Sequence, residues 1–398
     1  VGSEMCIRDR PNTLLLVLLF LAVAAGWVLG RGAASREVPE ETAPPSQYYL
    51  GLNFLLDGEQ ESALKAFSEA LAVNAETFET HITFGSLLRK RGEVDNAIKI
   101  HQSLLSRSRL PDVQKNQAHL ELAKDFIAAG LLDRAERLLK DLLELSEEHR
   151  LEGKSLLIEV FEASRDWDQA RELTESQLGE LKEDDPHQRS AAIKARAKLS
   201  HYCCEAAEDK ESAGYFEVAR DLAERALDWT EESVWPHTIL ARLDQQQDQP
   251  RRAYDRLVTA AKMSSERLPE FAAQLIAVSE SVNCRDEVTP LIATLLTQRE
   301  DPQLRVILAD EHRVRGDDAK ALEIIKQGLN KKPSSRLLMQ ALTLLGEEVA
   351  TPEIIEGAQK LASRQSAYLC GVCGFHGPSF YWQCPGCKSW DTLHRPAR

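Results

Sequence analysis

The stretch from Tyr48 to Leu104 states one pattern twice, and a chain written that way has few options for folding. Gly51, Gly58, Ala63 and Phe67 return as Gly85, Gly92, Ala97 and His101, each at an offset of 34 (85 − 51, 92 − 58). Phe54 maps in the same way to Leu88, and Ala70 to Leu104. A unit of this length, with glycine at the turn and small residues where helices approach, is a pair of antiparallel helices. One pair cannot bury its own apolar face, so pairs must stack.

Small, large and Gly positions in this order are the tetratricopeptide signature, and the expected fold is all-α, a tetratricopeptide superhelix or α-solenoid. Composition agrees. Aromatic residues are 6% of the chain, and Leu, Ala, Glu, Arg and Lys dominate. The formal net charge of −14 argues against a nucleic-acid partner.

Five segments are expected. Residues 1–10 match nothing that follows and read as a non-native extension. Residues 12–30 carry no charge, and eleven of the sixteen from Leu14 to Leu29 are Leu, Val or Phe. At about 0.3–0.6 kcal/mol each, these favour insertion into a bilayer by roughly 5 kcal/mol. Nineteen residues at a rise of about 1.5 Å span roughly 28 Å, one hydrocarbon core. A transmembrane helix is therefore expected. A cleaved signal peptide with Ala33-Ala34-Ser35 as its site is the competing reading, disfavoured because the apolar run is long and because secretion would oxidise the C-terminal thiols. Arg31 and Arg36 favour a cytoplasmic body. Residues 31–46, with Pro39, Pro44 and Pro45, form a linker.

Residues 47–365 form the repeat array. A third unit has Leu122, Phe126, Gly130 and Ala135, after a four-residue insertion near Pro111. A weaker fourth has Phe161, Ala170 and Trp167 at its turn, and Asp184-Asp185-Pro186 closes that region. The fifth has Gly214, Ala219 and Ala226, the sixth Ala253 and Ala260. Leu268 to Glu300 keeps helical periodicity without the signature. A last clear unit has Ala309, Gly316, Ala321 and Pro333, and Leu337 to Ala362 reads as capping helices. A superhelix of this kind presents a groove for an extended peptide or partner helix, with His81, Arg89, His119 and Lys124 as candidate lining residues.

Residues 366–398 carry the strongest local signal. Cys370-Gly-Val-Cys373 is followed by Cys384-Pro-Gly-Cys387, and two Cys-x-x-Cys knuckles place four thiolates around one ion. Cys370, Cys373, Cys384 and Cys387 are the expected ligands of one Fe or Zn ion, since four thiolates suit either metal. Phe375, Tyr381, Trp382 and Trp390 are expected to pack around the site. A tail this short has almost no core, so the ion must supply much of its folding free energy, on the order of 10–16 kcal/mol in small zinc modules. A closed four-thiolate site has no open position for substrate. The remaining cysteines, Cys6, Cys203, Cys204 and Cys284, do not form a disulfide framework and point to a reducing compartment.

Elsewhere no catalytic constellation is found: no phosphate-binding Gly-x-x-x-x-Gly-Lys, no His-Glu-x-x-His, no Gly-x-Ser-x-Gly. His201 with Cys203 and Cys204, and Glu311-His312, lie in first helices of repeats and read as core positions rather than nucleophile sites.

An anchor, a tetratricopeptide array and a rubredoxin-like tail in this order resemble the lipopolysaccharide assembly protein B family of Gram-negative bacteria. The likeness is carried by Arg91-Gly-Glu-Val-Asp-Asn-Ala-Ile-Lys-Ile-His-Gln102, by Ala129-Gly-Leu-Leu-Asp-Arg-Ala-Glu136, and by Cys373-Gly-Phe375 with Tyr381-Trp-Gln-Cys-Pro-Gly-Cys387. It implies a non-enzymatic, single-pass protein of the inner membrane with its body on the cytoplasmic side. It also implies partners: the membrane protease FtsH, the LpxC deacetylase whose degradation the family promotes, and lipopolysaccharide synthesis and transport proteins. A homodimer stays open. So do two other roles, a rubredoxin-like electron-transfer component and a transport scaffold with no proteolytic link.

Overall fold

A computed structural model describes residues 78–106, 110–181, 185–346, 351–364 and 367–396, with a few scattered residues before Phe78. Much of the expected anchor, the linker and most of the first repeat lie outside the described residues. Among the described residues no helix is long and apolar enough to cross a membrane. The chain divides into two compact units, Val1–Ala129 and Gly130–Arg398.

The first unit contains α1 (Phe78–Lys90), α2 (Val94–Leu105) and α3 (Asp112–Ala128). Its apolar centre is Phe78, Ile82, Leu104, Leu110 and Ala118. Gly85 sits where α1 meets α2: a Cβ there would lie 2.4 Å from Nε2 of His101. That ring cannot retreat, because it is fully buried and its Nδ1 lies 2.5 Å from Asp125 Oδ2. Gly85→Ala is therefore expected to cost about 1–3 kcal/mol by overpacking. A urea midpoint equal to that of the unsubstituted chain would count against this account of the close approach.

Arg89 donates to Asp125 Oδ1 at 2.5 Å and to Glu121 Oε2 at 2.6 Å, while Lys124 donates to Glu121 Oε1 at 2.6 Å. His81 is buried and His119 half-buried. Three of the four side chains considered as groove-lining are thus buried or held in ion pairs, since first helices of successive repeats satisfy one another's charges. Burial by itself would raise the Glu121 carboxyl. Hydrogen bonds from Lys124 and Arg89 outweigh it and hold the group at about 2. Its stabilisation is complete above the ordinary value of 4.5 and is lost as pH falls through about 2. The stability gap between the unsubstituted chain and Glu121→Gln should accordingly be full at neutral pH and close with acidification over that range. Denaturant midpoints along a pH series measure it, and a gap that survives at the acid end would contradict the ion-pair assignment.

The second unit begins with α4 (Leu132–Leu145), α5 (Arg150–Ser164), α6 (Trp167–Glu180) and the long α7 (Pro186–Ser212). It continues through α8 (Phe216–Trp229), α9 (Val234–Gln246), α10 (Pro250–Met263), α11 (Leu268–Ser281) and α12 (Arg285–Gln298). It ends with α13 (Pro302–Val314), α14 (Asp318–Lys331), α15 (Ser335–Leu345) and α16 (Pro352–Arg364), then β1 (Tyr368–Cys370), β2 (His376–Gly377) and β3 (Leu393–His394).

One backbone device recurs. Gly92, Gly130, Arg165, Gly214, Asp248, Asn283 and Gly316 all take positive φ. Five residues beyond each lies Ala97, Ala135, Ala170, Ala219, Ala253, Val288 or Ala321, every one at 0% exposure. A left-handed residue ends a helix and lets the next amide reach back to a free carbonyl. Glu93 N donates to Leu88 O at 2.9 Å and Cys284 N to Ser279 O at 2.9 Å in this way. Leu268 to Glu300 therefore holds a regular helical pair despite lacking the signature. Asparagine tolerates the left-handed turn that glycine usually supplies, and Val288 stands in for the alanine. The turn of the fourth unit falls at Arg165, two residues before Trp167, which opens α6.

α7 is the departure from the pattern. It has 27 residues where its neighbours have 13 to 15, and its second half serves as the first helix of the fifth repeat. Leu199, Tyr202, Cys203 and Cys204 are fully buried there. A continuous apolar core then runs from Val234 through Leu275, Ile292 and Leu308 to Ala341.

Candidate metal centre

The tail is a three-stranded antiparallel sheet in the order β2-β1-β3, from which two knuckles project with matching backbone bonds. Gly374 N donates to Cys370 O at 3.0 Å, and Lys388 N to Cys384 O at 2.9 Å. Cys370 N donates to Phe375 O at 2.8 Å, and Cys384 N to Ser389 O at 2.9 Å. Each knuckle turns on a residue at positive φ, Gly374 at 74° and Lys388 at 59°. Gly386 completes the approach of the two: a Cβ on it would stand 3.3 Å from Cys373 Sγ.

These turns gather the sulfurs of Cys370, Cys373, Cys384 and Cys387 within 4.8 Å of one another. Sγ of Cys370 is 3.7 Å from that of Cys387, and Sγ of Cys373 is 3.7 Å from that of Cys384. A tetrahedron of sulfurs about 2.3 Å from a central ion has edges of about 3.8 Å, so the donor set fits one tetrahedral metal. The protons of Cys370, Cys373 and Cys387 tell the same story. Hydrogen bonding by the Thr392 hydroxyl, then by the Cys373 and Val372 amides, holds Cys370 at about 5, and Ser389 lowers Cys387. Cys373 is pushed up to about 12: the Phe375 amide favours its charge, but desolvation and the neighbouring sulfurs oppose it more strongly. Four like charges cannot share so small a volume, and a bound cation removes the conflict. The donors are those expected of zinc or iron. All four positions are filled by protein sulfur, which suits structural support better than Lewis-acid chemistry on a substrate.

The opposite face of the ribbon meets the helices, and here the expected packing needs correction. Phe375 does pack within the ribbon, beside Tyr368, Cys370, Cys384 and Leu393. Tyr381 is exposed. Trp382 and Trp390 turn away from the ion onto the array. Trp382 stacks on Trp235 of α9 with ring centres 4.9 Å apart and planes 11° apart. Trp390 stacks on His201 of α7 at 4.8 Å and 6°, and meets Trp167 edge-on at 6.1 Å. A metal cage needs little apolar cover, whereas an indole left in water forfeits a large burial gain.

Polar contacts fix the seat. His201 Nε2 lies 2.8 Å from Asp391 Oδ2. Burial would raise the Asp391 carboxyl, but the hydrogen bond from His201, its charge, and Arg267 hold it below the usual carboxylate range. Arg267 donates to Leu393 O at 2.8 Å and to Asp391 O at 3.1 Å, with its guanidinium 4.8 Å from the Phe380 ring. Glu270 accepts from Tyr368 Oη at 2.6 Å and pairs with Arg395 at 3.1 Å.

Reading His201 as a core residue missed this role, and Trp235, Arg267 and Glu270 gave no motif at all. One signal was available: four of the six tryptophans, Trp167, Trp235, Trp382 and Trp390, meet at this seat in an aromatic-poor chain. Cys203 and Cys204 are buried, and burial raises both thiols, which suits packing and not nucleophilic attack. Glu311 is bound by Arg285 at 3.1 Å, and His312 lies apart at 3.7 Å from Asp317.

Regular helical pairs ending in a closed four-cysteine ribbon define a class: an all-α tetratricopeptide protein with a rubredoxin-like metal-binding tail. The family model for the rubredoxin metal binding domain matches residues 368–395. Over nearly its whole length the chain is a homologue of proteins named lipopolysaccharide assembly protein B, as its sequence features suggested. The Escherichia coli K12 protein is 27% identical over 394 residues, covering 97% of this chain and 98% of that one. The Haemophilus influenzae protein is 26% identical over 396 residues, covering 96% and 97%. Among solved structures, the C-terminal part of a TPR repeat-containing protein from Cytophaga hutchinsonii matches 66% of this chain and 99% of its own, at 11% identity and a TM-score of 0.38.

Proposed function

We propose that this chain is a membrane-anchored adaptor that regulates lipopolysaccharide biosynthesis, promoting degradation of the LpxC deacetylase by the FtsH protease and coordinating lipopolysaccharide assembly proteins. The observation that carries the reading is the likeness to proteins named lipopolysaccharide assembly protein B across 97% of the chain. The closed thiolate site, with no position left for a substrate, supports a role in holding proteins rather than transforming them.

In this reading residues 12–30 anchor the chain in the inner membrane, 31–46 tether it, 47–365 hold protein partners on the cytoplasmic side, and 366–398 brace the helices that carry His201, Trp235 and Arg267. Confinement to the protease's own membrane raises the effective concentration of one partner for the other, so modest contacts suffice. The test is the half-life of LpxC in cells that carry the full chain or a form lacking residues 12–30. Faster turnover only with the anchored form is expected, and identical half-lives would sink the tethering mechanism.

A one-electron carrier is the second reading, favoured by the exposure of Cys373 at the metal's outer edge. Purified protein carrying iron would then be red and bleach reversibly with dithionite. Protein that holds zinc and no iron when isolated from its own cells would remove that reading.

A further inference from the structure

Where the ribbon's third strand faces the starts of α13 and α15, the second unit contains an open cavity of about 270 Å³. Five cationic side chains line it, Arg267, Arg299, Lys332, Arg336 and Arg395, against the carboxylates Glu266, Glu270 and Asp301. In a chain of net charge −14 this is an inversion of sign. The carboxylates are all engaged. Glu266 pairs with Arg299 at 2.5 Å and Glu270 with Arg395 at 3.1 Å. Asp301 caps α13, accepting from Gln303 N at 2.8 Å and Leu304 N at 3.2 Å.

The cations are not all neutralised. Arg336 reaches only the neutral Gln303 Oε1, at 2.8 Å, and Lys332 has no partner among the described residues. Two positive charges are therefore left facing a cavity slightly smaller than the usual range for small-molecule sites, about 300–1,000 Å³. A space of that size takes one or two side chains, not a cofactor. Two unpaired cations match singly charged carboxylates one for one, each held by charge-assisted hydrogen bonds. Glu266 and Glu270 already show how a carboxylate seats against the arginines here.

We infer that this cleft binds acidic side chains of a protein partner, with Lys332 and Arg336 as the pairing cations. The inference rests on the adaptor reading for its purpose, though not for its chemistry. Neither residue bonds to the ribbon, so both can be changed without loosening its seat.

The experiment uses the full chain and a fluorescein-labelled Glu/Asp hexapeptide, followed by anisotropy, with the matching Gln/Asn hexapeptide as control. The acidic peptide should bind, weaken with rising salt, and lose about tenfold in affinity in the Lys332→Ala/Arg336→Ala variant. Metal content and far-ultraviolet circular dichroism of that variant should match the parent. Equal binding by the variant, equal binding of the Gln/Asn peptide, or displacement by inorganic phosphate at lower concentration than by free glutamate would overturn it. LpxC half-life separates the two readings. Turnover regulated normally with no peptide binding removes the cleft and leaves the adaptor. Peptide binding with no effect of the chain on turnover leaves the cleft and removes the adaptor.

Discussion

Cys384→Ser should release the ion and unfold the ribbon from Tyr368 to Arg395 while the helical array stays folded. Cys384 is fully buried, and its sulfur is 3.7 Å from that of Cys373. The buried centre of the ribbon is Tyr368, Cys370, Cys384 and Leu393, so half of its core is ligand. A core of four residues cannot offset the conformational entropy of nearly thirty, at roughly 1–2 kcal/mol each for the backbone. Metal binding, on the order of 10–16 kcal/mol for comparable zinc modules, makes up the difference. The expected outcome is a metal content that falls from one per chain to none, with a red shift of tryptophan emission as Trp382 and Trp390 leave their partners. The helical signal at 222 nm should hardly change, because the core from Val234 to Ala341 is built by the array itself. A variant that keeps its metal and its emission maximum would show that three thiolates are enough.

Trp235→Ala should do the reverse, leaving the metal in place and freeing the ribbon from the helices. Trp235 is 1% exposed and stacks on Trp382. Its indole also donates to Glu208 at 3.1 Å. Truncating a buried tryptophan costs about 3–5 kcal/mol, and part of that loss falls on the seat of the ribbon. The four sulfurs do not depend on α9, so metal content should remain one per chain. The connection from Arg364 to Tyr368 should become a site of rapid proteolysis, yielding a helical fragment and a metal-bearing peptide. Loss of metal together with release would mean that the seat also holds the ligands in place. His201→Phe offers a finer comparison. It keeps a ring against Trp390 but removes the partner of Asp391, and should loosen the seat by about 1–3 kcal/mol.

Much of this protein was legible because its information is periodic. The offset of 34 marks second helices by their buried alanines, and all six alanines in the recurring series are at 0% exposure. The unit at Leu268–Glu300 was harder to read, because Asn283 and Val288 satisfy the same backbone and packing demands with different side chains. The geometry is set by a left-handed turn and a close helix contact, and more than one residue type meets each requirement. The polar group at Gly85, His101 and Asp125 was half legible. The repeat position of His101 was plain, but its partner lies on the next first helix.

The Cys-x-x-Cys spacing and the repeat period determined the fold class and the four ligands from sequence alone, because both are short-range constraints that a few neighbouring residues must satisfy. Where the ribbon sits was decided only in three dimensions. Its contacts join residues 126 apart, Arg267 with Leu393, and 98 apart, Tyr368 with Glu270. No local pattern signals such pairs, since a tryptophan that will cover another helix and one that will cover its own metal site look the same until the array brings Trp235 and His201 side by side.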